Sequence, residues 1–267
     1  MPKFSANLSM LFHEHAFLDR FAAATRCGFE AVEILFPYEY GASLIAEKLQ
    51  AANLKQVLFN LPPGDWARGE RGLAALQDRK DEFRQSVETA IKYAKSFGTP
   101  LLHVMAGIAD PDDKAATDCY RQSLTHAAER AGAMGIGITI EPLNGRDMPG
   151  YFLRDFDRAA DIINDLQLPN LKLQFDIYHR QIIHGDVLTG LRQFMPIIGH
   201  IQIASVPDRH EPGSGQLDDI SILGALDGMG YAGYVGCEYR PVGDTAAGLG
   251  WMRGLLNSPD RSNRPTG

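Results

Sequence analysis

Cysteine is scarce. Cys27, Cys119 and Cys237 are the three in 267 residues, odd in number, far apart and without a CxxC pair. No disulfide framework can be read from them, and they are expected to be free thiols in a reducing cytoplasm. Positive charge is also in deficit: 26 Lys and Arg against 33 Asp and Glu leave a formal net charge of −7. Neither a nucleic-acid backbone nor an anionic membrane surface is an expected partner at that charge. No apolar run approaches the length of a membrane span. The opening segment MPKFSANLSMLFHEH, with one Lys and an apolar stretch broken by Ser and Asn, is a poor signal peptide. A glycine-rich phosphate loop is missing after the first strand-like segment, where the chain reads Asn7-Leu8-Ser9-Met10. That counts against a dinucleotide-binding open sheet. What remains is ordinary for a soluble globular protein with a sizeable core: 45% hydrophobic and 22% charged residues. The oligomeric state stays open, a homo-oligomer included.

Strand-like and helix-like segments alternate along the chain. Short apolar runs fall at 4–8, 31–35, 56–60, 101–105, 136–141, 171–176, 200–204 and 234–238. Amphipathic stretches of helical period lie between them, among them 16–25, 81–97, 114–134, 156–166 and 220–229. Breakers such as Gly98-Thr99-Pro100, Met134-Gly135 and Pro169-Asn170 separate helix from strand. Eight β–α repeats in one chain predict a single (β/α)8 TIM barrel over 1–257, with a loose polar tail at 258–267.

The second half carries the chemistry. Read with a period of two, four successive strands show an apolar face: Ile136, Ile138 and Ile140; Leu171, Leu173 and Phe175; Ile201 and Ile203; Val235 and Cys237. The opposite face bears Glu141, Asp176, Gln202 and Glu238 at or near its last position. In a barrel that face points inward, and active sites occupy the C-terminal strand ends. Three carboxylates and an amide oxygen converging there suit a hard divalent cation, Mg²⁺ or Mn²⁺ ahead of Zn²⁺. The competing reading is four strand-end side chains hydrogen-bonded to loop amides, which would suffice for any one of them alone.

The same parity turns Ser5, Asn7, Glu33, Asn60 and His103 inward, Glu33 and His103 being expected as a buried hydrogen-bonded pair in the pocket wall. His179, in an Asp-x-x-His run on the turn leaving the sixth strand, is expected to bond a substrate oxygen, to hold a metal-bound group or to cap the next helix. Arg209, in the loop after the seventh, is expected either to clamp a substrate carboxylate or to pair at the surface with Asp208 or Glu211. His13-Glu14-His15 reads as solvated, and His179 and His184 are wrongly spaced for one helix face. The long segment 61–72, LPPGDWARGERG, is expected to be a lid in which Trp66 excludes water and Arg68 or Arg71 meets an anion.

These motifs carry a resemblance. Ile-Glu-Pro-Leu-Asn (140–144), Phe-Asp-Ile-Tyr-His (175–179), His-Ile-Gln-Ile-Ala (200–204), Asp-Arg-His-Glu-Pro-Gly (208–213) and Gly-Cys-Glu-Tyr (236–239) resemble the hydroxypyruvate isomerase family. Phe4 to Phe12 and Asn60 to Trp66 resemble it too, so coverage is nearly end to end. That family belongs to the xylose-isomerase-like TIM barrels, with the tagatose and psicose 3-epimerases and endonuclease IV, and includes 2-oxo-tetronate isomerases. The resemblance implies Glu141 and Glu238 as proton donor and acceptor. It implies Glu141, Asp176, Gln202 and Glu238 as ligands of one divalent cation, and a small anionic hydroxy-oxo acid as substrate, isomerised through a cis-enediolate. One departure stands out: the sugar epimerases have a histidine ligand where this chain has Gln202. A ketose 3-epimerase and a non-catalytic sugar-acid binding barrel are the alternatives. A metallo-nuclease fits neither the charge nor the lone Gln202.

Overall fold

The structure, a computed structural model, describes residues 2–252; the tail expected at 258–267 lies outside them. Alternation of apolar runs with helical segments leaves each strand's edges to be satisfied by the next strand but one element along, and parallel pairing results. The strands are β1 (Lys3–Asn7), β2 (Ala31–Ile34), β3 (Lys55–Asn60), β4 (Leu101–His103), β5 (Gly137–Ile140), β6 (Leu171–Asp176), β7 (Ile198–Ile203) and β8 (Tyr234–Cys237). Each pairs in parallel with its successor, and β8 pairs with β1 to close the barrel. The outer ring comprises α1 (Arg20–Arg26), α2 (Ala42–Ala51), α3 (Lys80–Phe97), α4 (Lys114–Gly132), α5 (Phe156–Leu166), α6 (Ile177–Ile183), α7 (Val187–Phe194), α8 (Asp219–Gly228) and α9 (Thr245–Gly248). The architecture is the (β/α)8 barrel that the repeat pattern predicts. No helix among the described residues is long and apolar enough to cross a membrane.

The period-two faces divide as the sequence indicates. Ile138, Ile140, Leu173, Phe175, Ile201, Val235 and Cys237 are buried between sheet and helices, in one continuous core. Phe175 meets Phe156 of α5 at 5.1 Å and Phe194 of α7 at 6.5 Å between ring centroids. Each such side chain withdrawn from water contributes about 1.5–3 kcal/mol. Aspartates start the helices: Asp113 accepts from the Ala115 N–H at 2.8 Å and Asp155 from the Arg158 N–H at 2.8 Å.

The inner face is polar and internally bonded. Glu33 accepts from Ser5 Oγ at 2.7 Å, His200 Nε2 at 2.7 Å and Gln202 Nε2 at 2.9 Å. Gly236 makes this possible, because a Cβ there would fall 2.2 Å from Glu33 Oε1. Gln174 joins the network to the next level up. It accepts from Thr139 Oγ1 at 3.0 Å and donates to Gln202 Oε1 at 2.7 Å and Glu141 Oε2 at 2.9 Å. The expected Glu33–His103 pair does not form. His103 instead donates through Nδ1 to Asn60 Oδ1 at 3.2 Å, since the two residues stand at the same level of adjacent strands.

Candidate active site

A cavity of about 550 Å³ opens at the C-terminal mouth of the barrel, with Glu141, Gln174 and Glu238 among its lining residues. Its position follows from the fold: strand ends and the loops that leave them face the mouth. Glu141 follows the last residue of β5 and Glu238 the last of β8; Asp176 closes β6. Asp176 also begins α6, accepting from the Tyr178 N–H at 2.7 Å, so strand and helix meet without a loop. His179, expected in a turn, therefore sits in the first turn of α6, buried, and Asp176 rather than His179 is the cap.

Glu141, Asp176 and His179 each offer one ligand atom within 4.8 Å of the others. Glu141 Oε1 and Asp176 Oδ2 are buried without a hydrogen-bond partner among the described residues. Buried carboxylate oxygens left this way carry a large desolvation penalty unless an ion or ligand meets them. The histidine's part is different. Its Nδ1 accepts from the backbone N–H of Asn144 at 3.1 Å and from Asn144 Nδ2 at 2.7 Å. A backbone N–H can only donate, so the neutral ring carries its proton on Nε2. That proton faces Asp176 Oδ2 at 3.6 Å, and the atom offers the site a donor in place of a lone pair.

Arg209 enters from the loop after β7, held at φ +59 and buried. Its Nη2 stands 3.5 Å from both Asp176 Oδ2 and Glu238 Oε1, and Nη1 is 3.7 Å from Asp147 Oδ2. The surface pairing with Asp208 or Glu211 does not occur, because the loop turns the side chain into the mouth. Gln202 lies on the same inner face, with both ends of its amide engaged: Nε2 on Glu33 and Oε1 on Gln174.

One guanidinium against Glu141, Asp176 and Glu238 leaves negative charge in excess. Burial first, then the Glu238 and Asp176 charges, push the Glu141 carboxyl well above the ordinary range. Burial raises Glu238 to about 8, against the opposing pull of Arg209. Asp176 is raised too, again chiefly by burial. Burial holds His179 well below its usual value, with Arg209 adding to the effect, and His103 falls to about 3 for want of water and beside His200. Carboxyls poised upward beside imidazoles kept neutral are suited to moving protons on and off carbon.

Four features of the mouth were not legible as site residues. Gln174 is one, although it shares Asp176's parity two positions earlier. Asn144 and Asp147 are others, in the irregular loop after β5. The fourth is Glu14, whose carboxylate accepts from the Thr245 N–H and Oγ1 at 3.1 Å each and lines the cavity with His13. His13 and Glu14 are exposed, as the solvated reading has it, and the addition is that both stand on the cavity rim. In the segment 61–72, Trp66 lines the cavity, while Arg71 stacks on its ring at 3.8 Å and donates to the Trp66 and Glu70 carbonyls. Arg71 thus stiffens the segment from within. His184 belongs elsewhere, 3.1 Å from Asp155 at the start of α5.

The sequence profile of the xylose isomerase-like TIM barrel family matches residues 21–255. The chain belongs to this family. Within it, the chain is 51% identical to 2-oxo-tetronate isomerase from Cupriavidus necator, over 96% of this chain and 99% of that one. It is 41% identical to hydroxypyruvate isomerase from Escherichia coli, over 94% and 98%. Among solved structures, one described as AP endonuclease, family 2, from Brucella melitensis superposes with a TM-score of 0.93 at 45% identity, covering 95% of this chain and 98% of that chain. A D-psicose 3-epimerase from Clostridium cellulolyticum superposes at 0.78 with 18% identity, covering 97% of this chain and 100% of that one; that likeness speaks for the barrel alone. The chain is a family member of the aldose–ketose isomerase kind, as its resemblance implied.

Proposed function

We propose that this chain interconverts a short 2-oxo acid bearing a neighbouring hydroxyl with its isomer, hydroxypyruvate with tartronate semialdehyde or a 2-oxo-tetronate with its 3-oxo counterpart. The observation that carries the proposal is the pair of buried glutamates, Glu141 and Glu238, on one cavity wall system with carboxyls raised toward neutrality. The relatives named above support the substrate class.

Isomerisation moves a proton between two adjacent carbons through a cis-enediolate, while the hydroxyl proton passes from one of its two oxygens to the other. One glutamate, ionised, takes the proton from the first carbon; the other, protonated, delivers one to the second. Their mutual charge favours such a singly ionised pair, which titrates as a unit. His179, donating through Nε2, would bond a substrate oxygen as charge builds there. Gln174 fixes the Glu141 carboxylate from below. Met148 and Trp66 supply apolar cover at the mouth.

The residues present fit a divalent cation: unpartnered oxygens on Glu141 and Asp176, an excess of negative charge, a further oxygen on Glu238, and the second lone pair of Gln202 Oε1, whose first accepts from Gln174. Glu141, Asp176, Gln202 and Glu238 would hold it, and Mg²⁺ or Mn²⁺ suits such an oxygen set. When bound, the cation neutralises the carboxylates and the charge on the two enediolate oxygens. The three cysteines without disulfides accord with a cytoplasmic setting.

The cavity is roomier than a three-carbon acid needs, which favours a ketose 3-epimerase as the second reading. A panel of hydroxypyruvate, 2-oxo-tetronates and free ketoses, followed by NMR in D₂O with and without chelator, separates the two. Deuterium is expected at the carbon next to the oxo group of the acids, and chelator is expected to stop its entry. Deuterium entering ketoses alone would overturn the proposal.

A further inference from the structure

The substrate's carboxylate needs a cation that is not already committed, and the cavity wall narrows the choice. Arg209 is shared among Asp176, Glu238 and Asp147. Moving it to a substrate carboxylate would expose three acids to one another. The two buried imidazoles face the acidic floor and not the rim. His179 spends Nδ1 on Asn144 and turns Nε2 to Asp176. His103 spends Nδ1 on Asn60 and turns Nε2 to Glu141 at 3.8 Å. His13 contacts the Ser9 carbonyl at 2.9 Å and Arg20 at 3.4 Å.

Arg240 remains. It lines the same cavity two residues beyond Glu238, and its guanidinium has no partner among the described residues. Its backbone is nevertheless pinned: the N–H donates to the Arg209 carbonyl at 2.7 Å, and its carbonyl meets His210 Nδ1 at 2.8 Å. A free cationic head on a fixed stem, at the rim of an acidic floor, is the arrangement that orients a small anion. The negative end stays outward and the hydroxy-oxo end goes down to the carboxyls.

We propose that Arg240 is the anchor for the substrate carboxylate, and that it selects acids over neutral sugars of the same length. The planar guanidinium matches a carboxylate with two parallel hydrogen bonds. The proposal rests on the oxo-acid reading above and deepens it. Arg209, offered from the sequence for this clamp, is on this account a charge-balancing group for the floor.

The test uses the metal-loaded protein, with calorimetric titration of D-glycerate, a hydroxy acid with no oxo group to isomerise, and of glyceramide, its uncharged counterpart. Wild type is compared with Arg240→Leu and Arg240→Lys, and unfolding temperatures confirm that each variant folds. The Leu variant is expected to weaken glycerate about ten- to hundredfold, with glyceramide unchanged and the Lys variant recovering most of the loss. In steady state, KM for the oxo acid should rise in the Leu variant while kcat changes little. Equal glycerate affinity in wild type and the Leu variant, equal weakening of both probes, or no glycerate binding by wild type would each overturn the assignment. Should the Leu variant fail to fold, Arg240→Gln takes its place and is read the same way: weakened glycerate with unchanged glyceramide supports the anchor, and unchanged glycerate or weakening of both probes alike contradicts it. Should wild type bind glycerate through Arg240 yet isomerise no oxo acid, the reaction proposed above fails and the anchor stands.

Discussion

Two glutamates face the interior of this barrel and differ in what surrounds them. Glu33, on β2, has three donors for its two oxygens: Ser5, His200 and Gln202. Glu141, at the end of β5, has Gln174 on one oxygen and no hydrogen-bond partner on the other, with Asp176 and Glu238 as neighbouring charges. Both are almost wholly buried, so burial does not separate them. Satisfaction does. An acid whose hydrogen bonds are complete holds the interior together, while an acid left incomplete has capacity for a ligand. The same contrast divides the polar lower interior from the mouth.

Substitutions sharpen that contrast. The largest effect is expected from Glu141→Gln and Glu238→Gln, which keep shape and remove the proton carrier. Either should lower turnover on the order of 10²–10⁴-fold in a D₂O exchange assay while circular dichroism stays unchanged. Turnover like that of wild type would move the chemistry elsewhere. Glu33→Leu should act on stability instead. It strands three buried donors and should cost on the order of 2–5 kcal/mol in urea unfolding. Glu141→Leu, which removes an incompletely paired acid, should leave stability unchanged or raised. Comparable losses from the two Leu variants would erase the distinction.

A smaller effect concerns pH. The Glu238 carboxyl is raised to about 8 in the folded protein, chiefly by burial. A carboxyl raised on folding contributes stability that is fully present below its unfolded value, about 4.3, and lost as pH rises through about 8. The chelated protein should therefore lose stability between pH 5 and 8.5, and Glu238→Gln should flatten that decline. A decline as steep in the variant as in wild type would assign it to another group.

The barrel was legible because its signals are local and repeated. Alternating Ile138 and Ile140, or Leu171, Leu173 and Phe175, mark a strand and its helix-facing side whatever the rest of the chain does. Parity also turned Glu141, Asp176, Gln202 and Glu238 toward one end of the interior. It could not give their level or their partners. Gln174, with the same parity, was passed over, yet it bonds both Glu141 and Gln202. Glu33 and His103 share a face but find different partners, because pairing depends on height and angle around the barrel. The acid partners of Arg209, and Glu14 as a site residue, escaped for another reason: loops fold back on distant elements, so Arg209 meets Asp176, and Glu14 meets Thr245, 231 residues away. His179's tautomer depends on an Asn144 amide that no spacing rule reveals.

Equilibrium binding of Mn²⁺, followed by electron paramagnetic resonance on wild type, Glu141→Gln and Glu33→Gln, tests most directly whether the incomplete acids are the ones that take a cation. The account predicts one ion per chain in wild type and in Glu33→Gln, and its loss in Glu141→Gln. No binding by wild type, or loss of the ion in both variants alike, would contradict it.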